Sequence, residues 1–155
     1  MENKEPIVIV EYSNSYKDQV ISLVGECLVD QSVLSKSCLP LDDDDLQKIP
    51  ELYGGRGKFW LALDRNQVVG TVGVLEIKES RAKLKRMFVK KELRGTGLGK
   101  RLLDTALQFA VNTGYTTIFL NTHKNMERAH NFYKKNGFIL IGKKGEDALT
   151  FEKVL

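Results

Sequence analysis

The stretch LKRMFVKKELRGTGLGKRLL, residues 84–103, decides how the rest of the chain is read. Its apolar run Met87-Phe88-Val89 gives way to charged Lys90 to Glu92, then to Arg94-Gly95-Thr96-Gly97-Leu98-Gly99, after which apolar residues recur at helical spacing. This order predicts a strand, a glycine-rich turn and a helix. Alternating glycines at a helix start let backbone N–H groups approach a ligand with no side chain in the way. Those N–H groups have no intrahelical partner and the helix dipole is positive there, so the turn offers a seat for phosphate.

Two other phosphate loops are excluded by spacing. A P-loop needs a glycine where Arg94 stands and a hydroxyl residue where Arg101 follows Lys100. A dinucleotide fingerprint needs its third glycine at Lys100 or Leu102, and an acidic residue near the end of the next strand, where Leu120 to Thr122 lie.

The stretch resembles the cofactor loop of the GNAT acyltransferase superfamily, [RQ]xxGx[GA], with Arg94, Gly97 and Gly99 in the motif positions. The resemblance continues into NMERAHNFYKKNGF, residues 125–138, where Asn125, Ala129, Tyr133 and Gly137-Phe138 keep that family's spacing. Two motifs in register over about fifty residues are far more specific than either alone. The resemblance implies one domain over residues 1–155, of class α/β (α+β). It further implies a mixed central sheet of about six to seven strands with a splayed parallel pair, flanked by about four helices.

It also implies an activity: transfer of an acetyl group from acetyl-CoA to a primary amine by direct attack on the thioester. The alternative is a module that binds or senses acyl-CoA without turnover. The implied cofactor contacts are Met87, Phe88 and Val89, with pantetheine on the backbone of Met87 and Val89. The loop residues Arg94, Gly95, Thr96, Gly97, Leu98, Gly99 and Lys100, and Asn125 on the pantetheine, complete the set. Tyr133 is the implied general acid, since a phenol of pKa about 10 can protonate a departing thiolate and recover its proton. No metal is implied. Where family members often carry a carboxylate base this chain has Lys83, so Glu76, His123 or a water chain are the substitutes considered. His130 reads as structural.

Length and composition agree with one globular domain: 42% hydrophobic and 28% charged residues suffice for an ordinary core and a solvated surface. Cys27 and Cys38 form no CxxC pair and have no zinc-type spacing, so both read as reduced and incidental. The net charge of +4 is concentrated from Lys78 to Arg101. Such a patch fits coenzyme A, a polyanion, and the lack of interleaved aromatics disfavours nucleic acid. MENKEP at the start has no apolar leader and no run approaches membrane length, so a cytoplasmic chain without a membrane partner is expected. The expected partner is a small-molecule or protein amine; homodimers are frequent in the superfamily and are compatible with this reading.

Along the chain, strands are expected at Ile7–Val10, Phe59–Leu63, Val68–Ile77, Ala82–Val89, Tyr115–Leu120, Phe138–Ile141 and Ala148–Val154. Helices are expected after Ser13–Ser15, after Asp42–Asp45 up to about Ile49, from Leu98 to Gly114 and over Asn125–Asn136. The four aspartates read as a helix N-terminal acidic cluster, since calcium-loop spacing is absent. Gly54, Gly55 and Gly57 read as a loop, beside which the resemblance makes Tyr53 and Arg56 candidate substrate contacts. Gly70 and Gly73 suggest close neighbours within their strand. Leu84 is even while Met87 and Val89 are odd, so a one-residue bulge is expected before Met87.

Overall fold

The computed structural model describes residues 6–155. In chain order the elements are β1 (Val8–Glu11), α1 (Lys17–Asp30), α2 (Asp44–Gln47), α3 (Ile49–Leu52), β2 (Lys58–Asp64), β3 (Gln67–Lys78) and β4 (Arg81–Val89). There follow α4 (Leu98–Thr113), β5 (Thr117–His123), α5 (Glu127–Lys135), β6 (Ile139–Lys144) and β7 (Ala148–Val154). The strands make one seven-stranded sheet in the order β1-β2-β3-β4-β5-β7-β6. Only β4 and β5 run parallel, as a strand, helix, strand connection requires; every other neighbouring pair is antiparallel.

Helices cover both faces, which is why β2 and β3 are apolar almost throughout and not alternating. On one face α1, α2 and α3 bury Val20, Val24, Leu46, Ile49 and Leu61. On the other, α4 and α5 cover Leu102, Leu103, Ala106, Ile118 and Phe151. Each fully buried large aliphatic side chain contributes about 1.5–3 kcal/mol by leaving water. A Cβ on Gly70 would lie 2.8 Å from Leu102 Cδ1, so the missing side chain is what lets α4 pack on the backbone of β3.

The segment after the aspartates forms two single turns, α2 and α3, where one helix was expected, so five helices flank the sheet. Pro50, in the first turn of α3, has no N–H to continue the ladder from α2. Asp43 caps α2 by accepting from Leu46 N. The last helix starts at Glu127 and not at Asn125, because His123 Nδ1 accepts the Asn125 N–H and holds residues 123–126 in a turn.

The bulge lies where residue parity put it. Thr71 faces Phe88 while Gly73 faces Lys85, so β4 carries one more residue than β3 between those pairs. Before the bulge Ala82 and Leu84 face α4; after it Met87 and Val89 do, and Phe88 joins the α1 core.

Candidate active site

β4 and β5 are paired only at Arg81–Thr117, Ala82–Ile118 and Lys83–Phe119, and then part. The extra residue in β4 bends that strand away from its parallel neighbour. Arg86 sits at the bulge with φ +54°, a left-handed conformation that favours glycine. Two contacts hold it there: buried Thr71 donates its hydroxyl to the Arg86 carbonyl at 2.7 Å, and the Arg86 guanidinium donates to Asp43 at 2.6 Å. An aspartate cap of α2 therefore also fastens the parting of the sheet.

Each side of the parting opens into a cavity. The first, of about 450 Å³, is walled by the glycine turn, by Met87, Phe88 and Val89, and by α5. The turn has the form that the sequence suggested: Gly95 (φ +81°) and Gly97 (φ +91°) adopt left-handed conformations in open space, and α4 begins directly after Gly97. Among the described residues no acceptor reaches the N–H groups of Gly95, Gly97, Leu98, Gly99 or Lys100. Unpartnered donors at the positive end of a sixteen-residue helix favour an anion.

The second cavity, of about 320 Å³, lies on the α1 and α2 side. It is walled by Leu28 and Val33, by Lys83 to Phe88 of β4, by Leu120 to His123 of β5 and by Lys144. Both cavities share Met87, Phe88, Met126 and Tyr133. Tyr133 is 6% exposed and packs edge-on against Phe132 and Phe138. Burial pushes its phenol up from the ordinary value, so it stays protonated across the physiological range.

Met87, Phe88, Val89, Arg94, Gly95, Gly97, Gly99, Lys100 and Tyr133 thus line the first cavity together. Three other expected contacts fall outside its lining. Leu98 is buried in the α4 core, Thr96 is exposed and bonds back to the Leu93 carbonyl, and Asn125 donates its amide to the Ser32 carbonyl at 3.2 Å. The Arg94 guanidinium is bound to Asp30 at the end of α1, holding that carboxyl below its ordinary range. Arg94 therefore anchors the turn through its side chain.

Several residues at the site went unread in the sequence. Arg128, Asn131, Phe132 and Lys135 line the first cavity from α5, and Gln31 from the end of α1. Their signal was the three-and-four spacing of one helix face next to the face that Ala129 and Tyr133 occupy.

The substitute bases fare differently. Glu76 pairs with Arg56 at 3.2 Å and lies opposite Ala82, about 16 Å along the strand from Met87 at ~3.3 Å per residue, so neither Glu76 nor Arg56 belongs to the site. Tyr53 is buried against Phe59. His123 lines the second cavity, but its Nδ1 accepts a backbone N–H, which puts the proton of the neutral ring on Nε2 and leaves no free lone pair. His130 is buried, with Nε2 against the His123 carbonyl. Lys83 lines the second cavity, its pKa lowered by burial and then by Lys85 and Lys144. Cys27 is buried, its thiol pushed up to about 11 chiefly by that burial, while donating to the Val89 carbonyl. Cys38 is exposed and unpaired.

A glycine turn at a helix start thus stands beside a parallel pair parted by a bulge. Residues 28–138 match the model of the Acetyltransferase (GNAT) family. The chain belongs to this family. Its sequence is 37% identical over 119 residues to "N-acetyltransferase 8" of Rattus norvegicus, covering 74% of this chain and 53% of that protein. The chain thus spans about half the length of the curated relatives it matches. A GNAT-family acetyltransferase of Staphylococcus aureus superposes with a TM-score of 0.86 at 29% identity, covering 97% of this chain and 99% of the other. The fold is also that of the paia N-acetyltransferase of Thermoplasma acidophilum, solved in complex with coenzyme A: TM-score 0.85, 21% identity, covering 97% of this chain and 100% of that one. Among the described residues, this GNAT chain has seven strands, with the parallel β4–β5 pair at the centre of the sheet. Among the described residues, no helix is long and apolar enough to cross a membrane.

Proposed function

We propose that this GNAT chain transfers an acetyl group from acetyl-CoA to an amine by direct attack on the thioester. One observation carries the reading: Tyr133 stands where the cavity under the glycine turn meets the cavity on the opposite side of the parted strands. Donor and acceptor can approach it from the two sides of the sheet without displacing each other. The names of the curated relatives and the coenzyme A bound by the Thermoplasma acidophilum protein support the same reading.

In this mechanism the N–H groups of Gly95 and of Gly97 to Lys100 hold the diphosphate, with Lys100, Arg128 and Lys135 adding positive charge at the rim. Pantetheine lies along the edge of β4 from Met87 to Val89, which has no strand partner on the β5 side. A backbone N–H of that edge polarises the thioester carbonyl. The amine nitrogen attacks the carbonyl carbon and gives its proton to water, since among the described residues no carboxylate lines the second cavity. As the tetrahedral intermediate collapses the C–S bond breaks, the Tyr133 hydroxyl gives its proton to the sulfur, and solvent returns one to the phenolate. Burial keeps the Tyr133 phenol protonated and so able to donate.

The absence of a lining carboxylate also favours a second reading, a module that binds acetyl-CoA without turning it over. Thiol release from acetyl-CoA across a panel of amines, run beside calorimetric titration with coenzyme A, separates the two. Binding with release supports the transferase; tight binding with no release from any amine leaves the sensor; no binding ends both.

A further inference from the structure

The second cavity has a chemical character that the acyl-transfer reading does not require. Lys83, Lys85, Arg86 and Lys144 line it, and among the described residues no carboxylate does. Two of these cations are matched from α2, Lys85 by Asp45 at 3.0 Å and Arg86 by Asp43 at 2.6 Å. Lys83 and Lys144 have no carboxylate partner among the described residues. Glu146 and Asp147 line the neighbouring groove that Lys144 also borders, and there Asp147 is held by Lys124. The cleft therefore carries an excess of positive charge in a partly desolvated space, against which an ammonium or polyamine would be repelled.

We infer that the acceptor taken by this cleft is an amine that also bears an oxyanion, a carboxylate or a phosphate, held by Lys83 and Lys144. The inference rests on the transferase reading. Lys83 and Lys85 line the cleft together with Phe88, a residue that also borders the first cavity. An acceptor with its oxyanion between Lys83 and Lys144 thus extends its amine toward Tyr133. The same cations disfavour the protonated amine and so favour the neutral nucleophile, a task left open by the missing carboxylate base. Attraction of the anion and discharge of the amine come from one set of side chains.

The test uses matched acceptors with acetyl-CoA and the full chain: β-alanine against its amide, O-phosphoethanolamine against ethanolamine, and a diamine. The wild type is expected to show kcat/KM at least about tenfold higher for one anionic member over its neutral counterpart, and least activity on the diamine. The carboxylate and phosphate pairs tell which oxyanion is preferred. In Lys83→Gln and Lys144→Gln the preference for the anionic member falls about tenfold, because its rate drops much further than that of the neutral amine, while the Kd for coenzyme A stays as in the wild type. Binding of inorganic phosphate and of N-acetyl-β-alanine to the coenzyme A-loaded protein is measured in parallel, and both variants should weaken it. Equal or better use of the neutral or cationic amines overturns the inference, as does an equal loss on every amine, a weaker Kd for coenzyme A in the variants, or no anion binding to the loaded protein. Failure of the transferase reading itself looks different: coenzyme A does not bind, or no amine of any charge releases thiol while the anions still bind in the cleft.

Discussion

At the scale of single residues, the assignment of Tyr133 gives the sharpest expectation. Tyr133→Phe keeps the ring between Phe132 and Phe138 but removes the proton donor, so kcat should fall by about 10²-fold while the Kd for coenzyme A moves less than about twofold. Equal losses in both would make the tyrosine a packing residue. A second expectation follows from the lack of a carboxylate in the acceptor cleft. The rising limb of kcat/KM with pH should track the amine pKa of whichever acceptor is used. A limb fixed at one pH across a series of amines would instead point to a protein base. The bare sequence showed Lys83 standing where the resembled family often has an acid, but not that its neighbours are Lys85 and Lys144. That neighbourhood joins β4 to the β6–β7 hairpin, sixty residues further on, and only the folded sheet order creates it.

At the scale of elements, the glycine turn and the bulge are the devices that can be broken. Gly97→Ala forces a side chain into φ +91°, at a cost of about 1–2 kcal/mol, and disturbs the N–H groups around it. We expect a lower melting temperature and coenzyme A binding weakened by about tenfold or more, read by calorimetry. Thr71→Val removes the hydroxyl that fixes the Arg86 carbonyl at nearly constant volume; it should lower kcat more than it raises the Kd for coenzyme A, because the parting loosens while the turn is untouched. These two elements were readable because each leaves a local mark: glycines at fixed offsets before a helix, and a change of apolar parity in β4. β7 and the end of α4 at Gly114 were readable for similar local reasons. The helix opening at the aspartates ends near Ile49 as its pattern implies, but the further turn α3 is too short to leave a period in the sequence, and Asn125 left the helix because His123 competed for its N–H. Glu76 was misplaced since its distance from Met87 depends on register, which no local pattern supplies.

For the molecule as a whole, acid stability should be governed by carboxylates that tie distant segments together. Asp30 is held low by hydrogen bonding to Arg94, and Asp45 by hydrogen bonding to Lys85. A carboxyl whose folded pKa lies below its unfolded value of 3.8 stabilises fully above that value, and loses its contribution as pH falls through the folded pKa. Asp30→Asn should therefore lower the melting temperature at about pH 6, and the gap from the wild type should close toward about pH 3. A gap independent of pH would mean that the ion pair with Arg94 carries none of the effect. The same tie has a consequence for the timing of catalysis. Around the carboxyl end of α1, Asp30 grips the glycine turn, Gln31 borders the donor cavity, Ser32 receives the Asn125 amide, and Leu28 and Val33 form a wall of the acceptor cleft. A donor settling on the turn stiffens that hinge-like stretch and with it the far wall, so the donor should enter first and the acetylated product leave before the spent thiol, a sequence that product-inhibition patterns would expose.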